Sequence, residues 1–440
     1  MGLDPYKRHP LFILFRFVID GKARAFPASD RDEALGCAVS RTKGPRFESI
    51  SHCMEASMLR KKKTWRLVFL FCLALGVGAQ TALPQTWTWN NSASGPVPEP
   101  RGFHKTSAVR DPNTNEMIIF AGTTENALVN DVWFMENSNA EGPTQWINLI
   151  ANGAAGSPPA RGGHSAVYDS VNNRMIIFGG CLGGCLPVAN DVWVLTNANG
   201  QGGTPSWVQL SPVGGPPPPR TEHNSVYDQT NNRMIIFGGQ NGGGFGCSTF
   251  GDVWVLSNAN GLGGTPTWTQ LSFTGSPATG QYGQSAVYDA VNNIMTVFGG
   301  SGIVGGKCVN VNSVWTLSNA NGLGGTPAWT NIVANGAAGS PAKRAFHMAI
   351  YDPTTNRMTT FGGNNGSSVY NDSWVLSKAN GLGGTPSWSK LKPTTTPPAR
   401  SSVVGVYDPA TSRMTIYGGS NADGIFGGEG WTLTSANGLP

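Results

Sequence analysis

Hydrophobic residues in this chain come in short runs. Each run is about four to seven residues rich in Val, Ile, Phe, Tyr and Trp, bounded by Gly, Pro, Asn or Asp. That is strand chemistry with turn punctuation. No ten-residue stretch of the repeats carries helical periodicity. The runs also come in a fixed order, shown in full by residues 161–210. Arg161-Gly162-Gly163-His164 leads into Ser165-Ala166-Val167-Tyr168-Asp169, and Asn173-Arg174-Met175-Ile176-Ile177-Phe178 ends on Gly179-Gly180. Asn190-Asp191-Val192-Trp193 opens a third run, and Trp207-Val208-Gln209-Leu210 is a fourth. The pattern predicts a four-stranded antiparallel meander.

Almost everything after residue 85 repeats this unit. The Asp closing the first strand recurs as Asp111, Asp169, Asp228, Asp289, Asp352 and Asp408, at spacings of 58, 59, 61, 63 and 56 residues. The third strand carries Trp133, Trp193, Trp254, Trp315, Trp374 and Trp431, and the fourth carries Trp146, Trp207, Trp268, Trp329 and Trp388. One such meander cannot bury both faces alone. Sheets stacked face to face around an axis can, and the expected fold is an all-β propeller of six blades. The sixth repeat lacks its fourth strand. Thr86-Trp87-Thr88-Trp89 supplies one at the other end, so this N-terminal strand is expected to close the last blade.

The unit resembles the Kelch repeat, as found in the propeller of galactose oxidase and in many binding propellers. The Arg-x-x-His opening, the double glycine and the two tryptophans carry the resemblance over residues 86–440. Departures are Gln281 and Gln284 in the fourth repeat, Val403 in the sixth and Ala121 in the first. The resemblance implies a Kelch-type six-bladed propeller. In binding Kelch propellers the ligand commonly sits on the face built from the fourth-to-first-strand and second-to-third-strand loops.

Glycine is 60 of 440 residues and charged residues are 12%, which suits tight turns between strands. The net charge of +5 belongs to the leader. Residues 1–79 hold 14 Lys/Arg against 7 Asp/Glu, and residues 80–440 hold 16 against 18. The repeats thus offer no electrostatic case for nucleic-acid binding. Arg60-Lys61-Lys62-Lys63 followed by an apolar run over residues 67–79 reads as a secretory signal peptide, 58–79, cleaved after Ala79. That run is too short for a comfortable bilayer span. Residues 1–57 match no repeat and are expected to be a non-native or disordered extension, with 80–440 as the mature propeller. The expected location is secreted or periplasmic, the expected state a monomer without a stable membrane span.

Candidate chemistry is sparse. Arg101, Arg161, Arg220, Arg344 and Arg400 enter the inner strands and are expected around the channel mouth. There they either clamp a ligand carboxylate bidentately or bond carbonyls of the adjacent blade. Glu222 is the one carboxylate in that motif. His104, His164, His223 and His347 share one repeat position, and spread around a ring they cannot converge on one ion. They are expected to be hydrogen-bonded within the fold. Asp169 and Arg174 flank the first hairpin, and a pair across it is expected. The tryptophans are expected as apolar plates between blades, and the double glycines as places where a Cβ would clash. Cys181, Cys185, Cys247 and Cys308 all fall in second-to-third-strand loops and allow three pairings. The favoured one is Cys181–Cys185 with Cys247–Cys308, the latter at matching positions after Gly239 and Gly300, with a zinc site as the alternative.

No catalytic constellation and no cofactor follow from these residues. The first functional reading is a non-catalytic binding module for a protein or a glycan on the Arg-lined face. The alternative is an enzyme on the same fold. One form is epimerase- or mutarotase-like with Glu222 as base; the other is a copper oxidase. The latter is disfavoured because Tyr168, Tyr227, Tyr288, Tyr351 and Tyr407 all belong to the repeat.

Overall fold

The second strand of each repeat is the most deeply buried, and in the second repeat it is apolar through its centre. Met175, Ile176, Ile177 and Phe178 are all fully buried within Arg174–Leu182. Both faces of that strand are covered. Met175 and Ile177 cluster with Ile118 and Phe120 of the first repeat, while Ile176 and Phe178 cluster with Met234 and Ile236 of the third. Each meander therefore shares one hydrophobic layer with the repeat before it and another with the repeat after it.

The architecture follows from that layering. In the computed structural model, Ser165–Asp169 pairs with Arg174–Leu182, that strand with Val188–Thr196, and that with Ser206–Leu210, all antiparallel. The same order builds the sheets of the first, third, fourth and fifth repeats. In the sixth repeat Val404–Asp408, Arg413–Tyr417 and Gly430–Leu433 are completed by Trp87–Asn90, with Trp87 opposite Leu433 and Asn90 opposite Gly430. The inner strands touch their neighbours in turn, and Val404–Asp408 touches Ser107–Asp111, so the circuit returns to its start. Residues Gln80–Pro440 form one compact unit.

The described residues are 85–90, 96–102, 107–242, 247–277, 280–424 and 427–439, without the side chains of Trp87, Trp89 and Asn90. The leader segments 1–57 and 58–79, and His104, lie outside them. Among the described residues no helix is long and apolar enough to cross a membrane.

Hydrogen bonds between neighbouring repeats run right around the molecule. The Asp ending each inner strand accepts from an Asn side chain of the following repeat. Asn199 donates to Asp111, Asn260 to Asp169, Asn321 to Asp228, Asn380 to Asp289 and Asn437 to Asp352. Asn139 of the first repeat then donates to Asp408 of the sixth at 2.8 Å, which closes the ring. These bonds are buried and one partner is charged, so each stabilises by roughly 1.5–3 kcal/mol. The seam between the sixth and first repeats has more. Arg110 stands where five other repeats have tyrosine, and it pairs with Asp408 at 3.1 Å.

The expected Asp169–Arg174 pair does not form. The two residues are opposite in register, but Arg174 Nη1 donates to the Asn260 carbonyl of the next repeat at 3.0 Å. Arg233 and Arg357 do the same toward Asn321 and Asn437. Asp169 is already saturated by Asn172, Gln229 and Asn260, so the guanidinium reaches past it.

The tryptophans divide into two kinds. Those of the outer strands are plates between blades, as expected. Trp207, Trp268, Trp329 and Trp388 pack against Phe120, Phe178, Phe237 and Phe298 of the preceding repeat, and Trp146 packs against Tyr417. Trp133, Trp193, Trp254 and Trp374 of the third strands take part in a different arrangement, on the loop face.

Candidate functional site: the clamped loop face

Arg161, Arg220 and Arg344 are fully buried, and so is Arg101. Of the two expected arrangements at the channel mouth, an open clamp for a ligand carboxylate or bonds to carbonyls of the adjacent blade, the guanidiniums take neither. Each closes a bidentate pair with a carboxylate at the start of the third strand of its own repeat. Arg161 meets Asp191 at 2.7 and 2.9 Å, Arg220 meets Asp252 at 2.7 and 2.8 Å, and Arg101 meets Asp131 at 2.9 and 3.0 Å. Arg344 pairs likewise with Asp372, and Arg400 meets Glu429 at a looser 3.4 Å. The remaining donors go to carbonyls of the same repeat, such as Pro159 and Gly179 for Arg161. The adjacent blade is joined instead through the Arg220 carbonyl, which accepts from Gly180 N. A ligand carboxylate at these arginines would have to displace the chain's own.

The indole N–H of Trp193 also donates to Asp191 at 2.7 Å, and Trp133, Trp254 and Trp374 repeat the contact on Asp131, Asp252 and Asp372. Burial pushes the Asp191 carboxyl up, but the hydrogen bonds and charge of Arg161 outweigh it and hold it below the usual carboxylate range. Each clamp therefore pins the root of one second-to-third-strand loop.

The fourth repeat lacks the clamp on both sides. Gln281 replaces the arginine and Ser313 replaces the aspartate, so no buried charge is left alone. In its place Ser301–Val304 and Lys307–Asn310 form a hairpin that pairs with Gln281–Tyr282. Cys308 of this hairpin is bonded to Cys247 of the third repeat, and Cys181 is bonded to Cys185. Both favoured pairings are thus present.

The double glycines are required by close approach. A Cβ on Gly179 would lie 2.8 Å from the Arg220 carbonyl oxygen, and one on Gly180 would lie 2.8 Å from His164 Cβ. His164 itself bonds Ser107 of the preceding repeat at 2.6 Å, and His223 and His347 bond Ser165 and Ser285 in the same way. Burial, helped by Arg161, lowers the His164 pKa to about 3, so the imidazole is neutral.

One feature of the mouth had no counterpart in the sequence reading. Gly163, Glu222, Gly283, Phe346 and Ser402 occupy one repeat position, and all have positive φ. Their backbones join in series: Glu222 N donates to Gly163 O, Gly283 N to Glu222 O, Phe346 N to Gly283 O and Ser402 N to Phe346 O. Glu222 is a member of this rim and is 3% exposed, not an open surface carboxylate. The αL geometry at a non-glycine position carries no signature that a single sequence displays.

A sequence model described as the KLHDC2/KLHL20/DRC7 Kelch-repeats domain matches residues 81–261, 199–380 and 262–427. Among characterised proteins, Host cell factor 1 of Rattus norvegicus and of Mus musculus is 29% identical over 198 residues, 42% of this chain. Host cell factor 1 of Homo sapiens matches to the same extent. The chain spans only 9% of the length of these relatives.

Proposed function

Because the chain belongs to the Kelch-repeat family, we propose that it binds a partner protein through the clamped loop face. The observation that carries this reading is the contrast between the roots and the tips of the loops. The roots are fixed by buried Arg–carboxylate pairs that recur from repeat to repeat. The tips differ in length and content, and they expose apolar side chains: Leu186 is 66% exposed and Val304 45%. Rigid support under variable, exposed tips is how recognition loops are built. A glycan or sugar-isomerising role would lean on the arginines and Glu222, which are buried in the fold.

Export is part of the same proposal. It rests on the basic-then-apolar stretch before residue 80 and is supported by the two disulfides, which persist in oxidising compartments.

The test is in-cell cross-linking of the full chain in its own producer. It compares wild type with a variant whose tips at 182–184, 186 and 303–307 are replaced by Gly/Ser, leaving Cys185 and Cys308 in place, and with Leu262→Ser/Leu323→Ser on the opposite face. A cross-linked protein lost only in the loop-tip variant supports the reading. A partner retained by that variant, or lost in the opposite-face variant, overturns it. A glycan array run beside it gives the carbohydrate reading its own positive outcome.

A further inference from the structure

The loop face is not uniform, and the fourth repeat is where it changes. The hairpin 301–310 projects Ile303, Val304 and Val309, which are 37%, 45% and 36% exposed. These are strand residues, braced on one side by Gln281–Tyr282 and on another by the Cys247–Cys308 bond. Asn310 Nδ2 also donates to the Asn364 carbonyl of the fifth repeat at 2.9 Å, so the hairpin leans across both neighbours. At its foot, on the face that carries Ile303 and Cys308, the half-buried rings of Tyr282 and Phe346 meet edge to face at 5.9 Å and brace the hairpin from below.

Charge divides the same face. Among the described residues, the exposed cations of these loops are Lys307 at the hairpin tip, Lys343 beside Arg344, and Lys392 in the following connection. The exposed anions, Glu99, Glu125 and Asp423, belong to the opposite arc, in the first and sixth repeats. An apolar, braced surface flanked by lysines and facing away from the acidic arc selects one kind of occupant.

We propose that the hairpin 301–310 is an off-axis docking site, on the face that carries Val304, Lys307 and Val309, for an acidic peptide segment of a partner protein carrying a large apolar side chain. The apolar side chain lies on Val304 and Val309, and the carboxylates face Lys307, which shares their face of the hairpin, and Lys343. This rests on the proposed protein-binding role of the loop face and adds where on that face the partner sits and what it must contain.

The experiment is a random peptide display selection against the full chain with its disulfides intact. The enriched peptides are then titrated against variants. The expected result is enrichment of peptides combining acidic residues with Leu, Phe, Trp or Met. Binding should fall about tenfold or more in Val304→Ser/Val309→Ser and in Lys307→Glu/Lys343→Glu. A Lys-for-Asp version of the peptide should recover binding to the Lys307→Glu/Lys343→Glu protein. All four positions are exposed or project from the rim, and unchanged melting curves and disulfide maps verify that the fold is kept. Enriched peptides indifferent to both double variants but lost when residues 182–184 and 186 are replaced overturn the hairpin site and leave the loop-face role standing. Enrichment of basic or uncharged peptides that ignore Lys307 and Lys343 overturns the acidic chemistry. No enrichment above an unrelated β-protein overturns the docking site and counts against the loop-face role as well.

Discussion

Arg161 shows how a side chain that looks like a binding group becomes a structural one. Its guanidinium has five N–H donors, and Asp191, Gly179 and Pro159 take up both ends and the Nε. Asp191→Asn should leave a buried cation half-paired and cost about 3 kcal/mol, read as a lower urea midpoint. The double variant Arg161→Gln/Asp191→Ser copies the fourth repeat and should recover much of that loss. If the double is no better than the single, the coupling between Gln281 and Ser313 has been misread. The Arg positions themselves were plain in the sequence; their partners were not, because those lie about thirty residues downstream, two residues before a tryptophan. The simultaneous change of both partners in the fourth repeat was the signal available. His164 gives a second test. Its folded pKa is lowered from 6.5 to about 3, so the unfolded chain binds the extra proton between those values. Its contribution is therefore full above about pH 6.5 and is lost as pH falls toward 3. His164→Gln, with Gln284 as the natural precedent, should flatten the fall of Tm between pH 6.5 and pH 4. A parallel fall in both proteins would remove His164 from the account.

At the scale of the element, the meander was legible because its period-two strands and glycine stops recur six times. The bonds between meanders were not. Asn260 and Asn321 sit in near-identical glycine-rich turns, where Asn is common for its own turn geometry. Each in fact reaches the Asp of the preceding repeat. Asn260→Ala removes one such link and leaves Asp169 with fewer donors, so a loss of about 1–3 kcal/mol is expected from urea unfolding. A change below a few tenths would show that the ring of amides adds little. The hairpin of the fourth repeat is held differently. Peptide mapping without reductant should recover Cys247 linked to Cys308 and Cys181 linked to Cys185, and any other pairing contradicts the fold described. The former closes 61 residues, and its removal by Cys247→Ser/Cys308→Ser should cost roughly 2–4 kcal/mol.

For the whole molecule, the expected closure follows from counting strands: five fourth-strand tryptophans among six repeats, with Thr86-Trp87-Thr88-Trp89 left over. The pairing of Trp87–Asn90 with Gly430–Leu433 accounts for it. A chain beginning after residue 90 would leave Gly430–Leu433 as an open sheet edge, the kind that recruits other chains. It should elute as oligomers or aggregates by light scattering, and the full chain should elute as a single species. A well-behaved monomer would mean that the inter-repeat bonds alone hold the ring.

The bond between Thr86 and Thr434 spans 348 residues. A contact of that sequence separation is formed late, because the loop-closure entropy must be met before the contact can reward it. During synthesis Trp87–Asn90 is made early and must wait, unpaired, until Gly430–Leu433 has emerged. Until then the first repeat lacks its Asp408 partner for Arg110 and Asn139. The interval between the making of these two strands is thus the period in which this chain is most exposed to pairing with the wrong neighbour. The extra ion pair at that one seam acts after the wait is over, and it makes the final joining hard to reverse.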